Sequence, residues 1–398
     1  MHIETIRLRN FKVFRDFEVV DLPRLAIFVG ANGTGKTTLF DVFGFLKDAL
    51  GNNVETAIRK RGGFKEVVTR GHEQESIDIE IQFRIELTGA DRLVTYRLEI
   101  VEDKGRAIVQ REVLRYKRGR YGSPYHFLDF ARGSGYAVTN EEDFNKTEEE
   151  LDREEQTLDN DSILAIKGVG QFQRFKAASA FRELIENWHI SDFHIMAARQ
   201  RVESGVAEHL SETGDNLPLV TQFIFEHHKP VFEEVIRKMK ARVPGIEEVS
   251  AEETIDGHVV LRFKDGSFKD PFISRYVSDG TLKMFAYLIL LHDPDPHALL
   301  CIEEPENQLY PSLMPDLIEE LRIYAKKGRG GQVFVSSHSP DVLNQARLDE
   351  TFWLTKLQGC SVVHHAADDE QLKALVEEGE QLGYLWRQGL IPGIDPAP

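Results

Sequence analysis

The stretch that most restricts the fold is Leu25-Ala26-Ile27-Phe28-Val29, followed by Gly30-Ala31-Asn32-Gly33-Thr34-Gly35-Lys36-Thr37-Thr38 and then a helical run. Gly30 to Thr37 reads G-x-x-x-x-G-K-[ST], a pattern with meaning only between a strand and a helix. Both flanks are present. After Lys36, apolar Leu39, Val42, Phe43, Leu46 and Leu50 recur at steps of three and four, and Gly51-Asn52 stops the helix. Glycines let backbone N–H groups turn inward around phosphates, and the helix N-terminus adds partial positive charge. Lys36 would bridge the β- and γ-phosphates, and the Thr37 hydroxyl is placed to ligate Mg²⁺. The alternative is a glycine-rich turn arising by chance, and both flanking elements speak against it.

Three later segments supply partners for such a loop. Ala298 to Ile302 is an apolar run ending in Glu303-Glu304-Pro305-Glu306-Asn307, which places carboxylates at a buried strand's carboxyl end, where ligands gather. Glu303 can hold Mg²⁺ through water, and Glu304 can accept a proton from an attacking water. Adjacent strand residues face opposite ways, so Glu304 needs the chain to turn, which Pro305 favours. The bland reading is a solvated acidic strand end. Gln332 to Val335 is a second apolar strand, ending in Ser336-Ser337-His338, where the histidine can meet a γ-phosphate oxygen. Ser278-Asp279-Gly280-Thr281 opens the apolar helix Leu282 to Leu291. Ser278 as N-cap, with free N–H groups and a glycine beside it, makes either an anion site or an ordinary capped core helix.

Composition excludes other classes. Two cysteines, Cys301 and Cys360, cannot build a disulfide framework or a cysteine zinc site. No apolar run reaches 18 residues, and Met1-His2-Ile3-Glu4 lacks a signal-peptide pattern, so a cytoplasmic location and no membrane partner are expected. The net charge of −17 opposes diffuse adhesion to nucleic acid. More than half of it lies in Glu141 to Asp161, where eleven acidic residues face Lys146 and Arg153, and this block reads as a solvated mobile loop. Positive charge gathers at Lys104, Arg106, Arg111, Arg115, Lys117, Arg118 and Arg120, with Tyr116 and Tyr121 interleaved, and again at Arg59, Lys60, Arg61, Lys65 and Arg70. Either group could track a duplex backbone or simply line solvated edges.

Taken in order, Gly30 to Thr38, Ser278 to Thr281, Glu303 to Asn307 and Ser337-His338-Ser339 resemble the ABC-type ATPase heads of the RecF and SMC group, and most of all the bacterial RecF-like "AAA family" predicted ATPases. The opening Ile6-Arg7-Leu8-Arg9-Asn10-Phe11-Lys12-Val13-Phe14 is similar to that group's first strand. The resemblance implies an α/β fold: an ABC-type P-loop NTPase head, with a mixed sheet and an antiparallel β-subdomain, carrying a mainly helical insert. It covers residues 1–120 and 250–365. The expected division is an N-terminal lobe over 1–125, a helical insert with the acidic loop over 126–245, and a C-terminal lobe over 246–398.

By that resemblance Gly30 to Thr38 is the Walker A loop, Glu303 the Walker B carboxylate, Glu304 the catalytic base, His338 the switch histidine and Ser278 to Thr281 the ABC signature. ATP and Mg²⁺ are the implied cofactors, and a homodimer around two ATP is the implied assembly. Double-stranded DNA or an effector protein encoded nearby is the implied target, in DNA repair or anti-phage defence. Two features depart from the pattern: Glu303 stands where many relatives have Asp, and Gln308-Leu309-Tyr310 where they often show Gly-Leu-His. Gln82, Gln171, Gln173 and Gln200 compete as the Q-loop glutamine. Two other readings are an ATPase-nuclease of the overcoming-lysogenisation-defect type and the ABC subunit of a transporter. Only 60 residues follow His338, with no Asp-x-Asp after Glu380, which counts against the nuclease.

Overall fold

From Ile77 to Tyr116 apolar residues alternate with charged ones, which suits strands with one face buried. In the computed structural model, which describes residues 2–87, 89–117, 123–143, 146–326 and 331–391, they form the middle of an eight-stranded antiparallel sheet. Its order is Phe14–Val19, His2–Phe11, Ile77–Leu87, Ala90–Asp103, Arg106–Tyr116, Tyr125–Ala131, Ser134–Val138 and Arg153–Thr157. The chain divides into two compact units, one of residues 1–188, 348–373 and 389–398, the other of residues 189–347 and 374–388.

The first unit holds this sheet and the phosphate-loop strand. Leu25–Val29 is buried throughout and pairs in parallel with Thr351–Leu357, which turns back through an antiparallel hairpin into Cys360–His365. The helix Lys36–Gly51 follows the loop and buries Leu39, Phe40, Val42, Phe43, Phe45, Leu46, Ala49 and Leu50. Its polar side is tied by ion pairs: Asp41 meets Lys12 at 2.6 Å and Arg61 at 2.7 Å, and Asp48 meets Arg61 at 2.8 Å.

The expectation of a mainly helical segment from residue 126 is corrected over its first part, because Tyr125–Ala131, Ser134–Val138 and Arg153–Thr157 extend the sheet. Phe127, Leu128 and Phe130 are buried there, and these are strand-forming residues. The acidic block is no free loop either. It contributes the edge strand Arg153–Thr157, whose charged residues discourage further pairing. Glu141 is buried and accepts from the Tyr116 hydroxyl at 3.1 Å and the Ala177 N–H at 3.0 Å. Helices do follow, at Lys176–Glu186, Leu217–His227 and Lys229–Arg242. Arg118, Arg120, Tyr121 and Gly328 lie outside the described residues.

In the second unit the carboxylate strand Leu299–Glu303 pairs in parallel with Gln332–Ser337, with Glu303 opposite Ser336. Ile246–Glu253 and His258–Asp265 form an antiparallel pair flanked by Val202–Glu203 and Phe272–Ile273. The helix Asp279–Leu291 is almost wholly buried. Among the described residues no helix is long and apolar enough to cross a membrane.

One buried carboxylate makes the first unit's stability pH-dependent. Glu112 is fully buried and accepts from the backbone N–H of Ala165, from Ile166 N–H at 3.1 Å and from the Tyr96 hydroxyl at 3.1 Å. Burial pushes its pKa up from 4.5 to about 7, against the pull of those donors. The folded state therefore holds the proton more tightly than the unfolded one. Its contribution is complete below about pH 4.5 and falls until about pH 7. Glu112→Gln should cost about 1–3 kcal/mol at low pH, and denaturant titrations should show the gap between wild type and variant narrowing from pH 5 to 7.5.

Candidate functional site

The phosphate loop is shaped by close backbone approaches that only glycine permits. Gly33 and Gly35 sit at φ 80° and 103°. A Cβ on Gly35 would lie 2.9 Å from both the Ser361 hydroxyl and a Val13 methyl, and one on Gly30 would lie 2.6 Å from the Leu354 carbonyl oxygen. The loop closes on itself as well: the Thr34 hydroxyl donates to the Ala31 carbonyl at 2.9 Å, and Ser361 donates to the Thr34 carbonyl at 2.6 Å. Buried Lys36 donates to the Gly30 carbonyl at 2.6 Å and the Ala31 carbonyl at 3.1 Å, so its ammonium lies across the loop's mouth. Asn32 and Thr37 are exposed and Thr38 half-buried. The first turn of the helix carries no acidic residue, so its own side chains leave the positive field of the N-terminus in place.

Two residues here left no signal in the sequence. Ser361 bonds the loop from 327 residues away. Lys356, exposed on the same hairpin, brings its Nζ within 3.7 Å of where a Gly33 Cβ would stand, adding a second cation beside the loop. Loss of an exposed charge contact weakens binding by about 0.2–1 kcal/mol. Lys356→Ala should accordingly raise the ATP dissociation constant by up to roughly five-fold, as read by fluorescent-nucleotide titration, and Lys36→Ala by far more.

In the second unit the strand register brings the carboxylates and the histidine together. Glu303 ends its strand, and Glu304 takes φ 42°, the turn that its position required. The Glu304 N–H donates to the Ser336 carbonyl at 2.9 Å. His338 Nδ1 lies 3.0 Å from one Glu304 carboxylate oxygen, and the Asn307 amide donates to the other at 2.8 Å. Glu306 sits behind them, accepting from the Ser337 hydroxyl at 2.7 Å and the His338 N–H at 3.1 Å. A His338 ring that donates through Nδ1 keeps Nε2 for a second partner. Both carboxylate oxygens of Glu304 are thus aimed, and one ring nitrogen stays available.

At the segment Ser278 to Thr281, Ser278 caps the helix N-terminus. The Ser278 hydroxyl oxygen accepts from the Thr281 N–H at 3.2 Å, and Arg199 bonds Asp279 and the Val277 carbonyl, each at 2.5 Å. Ser278 and Asp279 are exposed, although the helix behind them is buried. A Cβ on Gly280 would touch the Gln308 carbonyl at 3.0 Å, which places the signature against the segment after Asn307. Gln308 stands there at φ 65°, a conformation glycine takes without strain. Of the candidate glutamines, Gln82 donates to Glu80 and Gln171 to the Lys167 carbonyl, whereas Gln173 and Gln200 are exposed.

Lys283 is a further residue that sequence reasoning missed. It lies on the buried face of the signature helix and donates to the Asn307 carbonyl at 2.7 Å and the Glu304 carbonyl at 3.5 Å. Burial pushes its pKa down to about 8 against the attraction of Glu306 and Glu304. It pins the backbone that carries Glu304. Lys283→Met should lower ATP turnover roughly 10- to 100-fold through misplacement of that carboxylate, while nucleotide affinity stays unchanged.

Among the described residues, most of the two basic groups face carboxylates. Arg111 pairs with Asp129 at 2.8 Å, Arg115 with Glu80 at 3.7 Å and Arg106 with Asp161 at 3.9 Å. Arg59, Lys60 and Arg70 pair with Glu55, Asp48 and Glu66 at 2.7 to 2.9 Å.

A family described as "AAA domain, putative AbiEii toxin, Type IV TA system" matches residues 25–344. The chain belongs to this family. The family is of the AAA type, whose members are P-loop ATPases, and nucleotide with Mg²⁺ is their usual requirement. No curated protein matches the sequence. Among solved structures, an SMC head bound to the C-terminal winged-helix domain of ScpA is 14% identical with a TM-score of 0.55, over 92% of this chain and 98% of that one. The Smc head with an extended coiled coil from Pyrococcus furiosus, bound to the C-terminal domain of ScpA, is 14% identical with a TM-score of 0.53, over 95% and 100%. A Smc head with coiled coil and joint from Pyrococcus yayanosii is 11% identical with a TM-score of 0.50, over 95% and 100%. At such identities the likeness is one of fold, that of an SMC ATPase head.

Proposed function

We propose that this chain hydrolyses ATP and that hydrolysis is coupled to the pairing of two copies around two nucleotides, switching a partner protein. The observation that carries the reading is the Glu304 carboxylate held between His338 and Asn307 at a strand end, an arrangement suited to a general base. Lys36 and the N–H groups of Gly30 to Thr38 bind and neutralise the phosphates. Glu304 takes the proton of the attacking water, and His338, through its second ring nitrogen, contacts the γ-phosphate. Thr37 and Glu303 offer hydroxyl and carboxylate oxygens, the donor class that Mg²⁺ prefers, and are the residues that would hold it. Bound there, Mg²⁺ supplies neutralisation of the phosphate charge. Ser278 to Thr281, with Ser278 and Asp279 exposed and with Tyr276 and Tyr310 nearby at 73% and 67% exposure, would meet the γ-phosphate of the second copy.

A protein target is preferred over DNA because most of the described basic side chains face neighbouring carboxylates. The family's description as a toxin of a type IV toxin–antitoxin system favours a defence role over repair. The SMC heads that this fold resembles were solved with a bound ScpA domain, a precedent for protein partners. Double-stranded DNA as the target is the second reading.

Glu304→Gln should preserve ATP binding, slow hydrolysis by about 10² to 10⁴ and accumulate a dimer. Light scattering that gives one mass with and without ATP would exclude the paired mechanism. Duplex DNA titrated into the same assay should leave turnover unchanged, and stimulation that fades with salt would favour the DNA reading instead.

A further inference from the structure

Away from these motifs, the second unit gathers His209, Asp293 and His297, with one potential ligand atom from each lying within 4.8 Å of the others. We propose that these three residues form a binding site for a divalent transition-metal ion of the Zn²⁺ class. Two imidazoles and one carboxylate are a donor set that suits Zn²⁺ and its neighbours and poorly suits Mg²⁺.

The two buried members are held in place. Asp293 and His297 lie in His292-Asp293-Pro294-Asp295-Pro296-His297, a connection stiffened by two prolines that leads directly into Leu299–Glu303. The Asp293 side chain is 3% exposed. One of its oxygens accepts the Asp295 N–H at 2.9 Å, so only the other, 2.9 Å from His209 Nδ1, is turned to the cluster. The His297 carbonyl is fixed by the Tyr324 hydroxyl at 2.9 Å, and its ring stacks on His189 with centroids 4.8 Å apart and an interplanar angle of 22°. His209 is the exposed member, its side chain 41% accessible, and its ring centroid lies 5.5 Å from that of His297.

Tetrahedral donors about 2.0–2.1 Å from zinc stand about 3.3 Å apart. His209 Nδ1 and the Asp293 oxygen are already within that spacing at 2.9 Å, so the contraction of up to roughly 1.5 Å falls on the distances to His297, while the His209 backbone is anchored by the Asn216 amide at 2.9 Å. The surroundings favour a cation. Asp293, Asp295 and Glu208 place negative charge around His209, and a bound metal ion would take the lone pair that the ring otherwise gives to a proton. Binding would clamp the segment before Leu217 to the connection that feeds the carboxylate strand.

The test uses Co²⁺ as a visible probe on the chelator-treated full chain, without nucleotide and with excess Mg²⁺ to fill oxygen-donor positions. Wild type should bind one Co²⁺ with ligand-field bands in the visible region. Zn²⁺ should displace it and raise the melting temperature. His209→Ala, at an exposed position, should fold normally and lose more than the roughly 10- to 100-fold of affinity that removing a mere outer-shell partner costs. Asp293→Asn should do the same. If wild type shows no such bands at one equivalent, or His209→Ala binds Co²⁺ as tightly as wild type, the three residues are an ion pair and a stacked ring only, and the proposal is overturned.

Discussion

The parallel pairing of Leu25–Val29 with Thr351–Leu357 is the constraint on which the nucleotide-binding unit rests. It carries the hairpin Thr351–Leu357 to Cys360–His365 up against the phosphate loop, where Ser361 takes the Thr34 carbonyl and the Leu354 carbonyl leaves no room for a side chain at Gly30. A loop of exposed glycines would otherwise lose conformational freedom on binding phosphate. Here much of that loss is met in folding. The preorganised form comes from a strand far away in sequence and not from the motif itself.

A similar economy governs the buried carboxylates. Glu112 and Glu141 each receive backbone N–H groups at the start of a helical segment, Ala165–Val169 and Lys176–Glu186 respectively. Such groups have no partner within the helix and need one when removed from water. The sheet at Glu112 and the turn leaving it at Glu141 thus supply acceptors for the helices that follow, which ties the start of the acidic block to the fold.

The legible parts of this chain were those whose physics is local. Strand, glycine loop and helix are adjacent in sequence, so Gly30 to Leu50 could be read with its chemistry, and the turn at Glu304 followed from strand alternation alone. The eight-stranded sheet was legible only as far as Tyr116, because in Tyr125–Ala131 the adjacent Phe127 and Leu128 are both buried and a register shift interrupts the alternation. Ser361, Lys356 and Lys283 act across long separations and carry no motif. The basic groups misled in the opposite direction: a list of lysines and arginines shows charge but not the carboxylates, such as Asp129 and Glu80, that face them across strands. The family model and the SMC-head likeness bear on fold and class, and leave the residue roles to be tested one by one.

The hairpin at Thr351 to His365 has one more consequence, for the order in which the molecule is made. A chain synthesised from its N-terminus exposes Gly30 to Thr38 early, but Thr34 and Gly35 reach their final packing only after Ser361 has emerged. Domains tend to fold as units as they leave the ribosome. This one is discontinuous, so its nucleotide-binding loop is completed nearly last, and a truncated nascent chain lacks the part that shapes it.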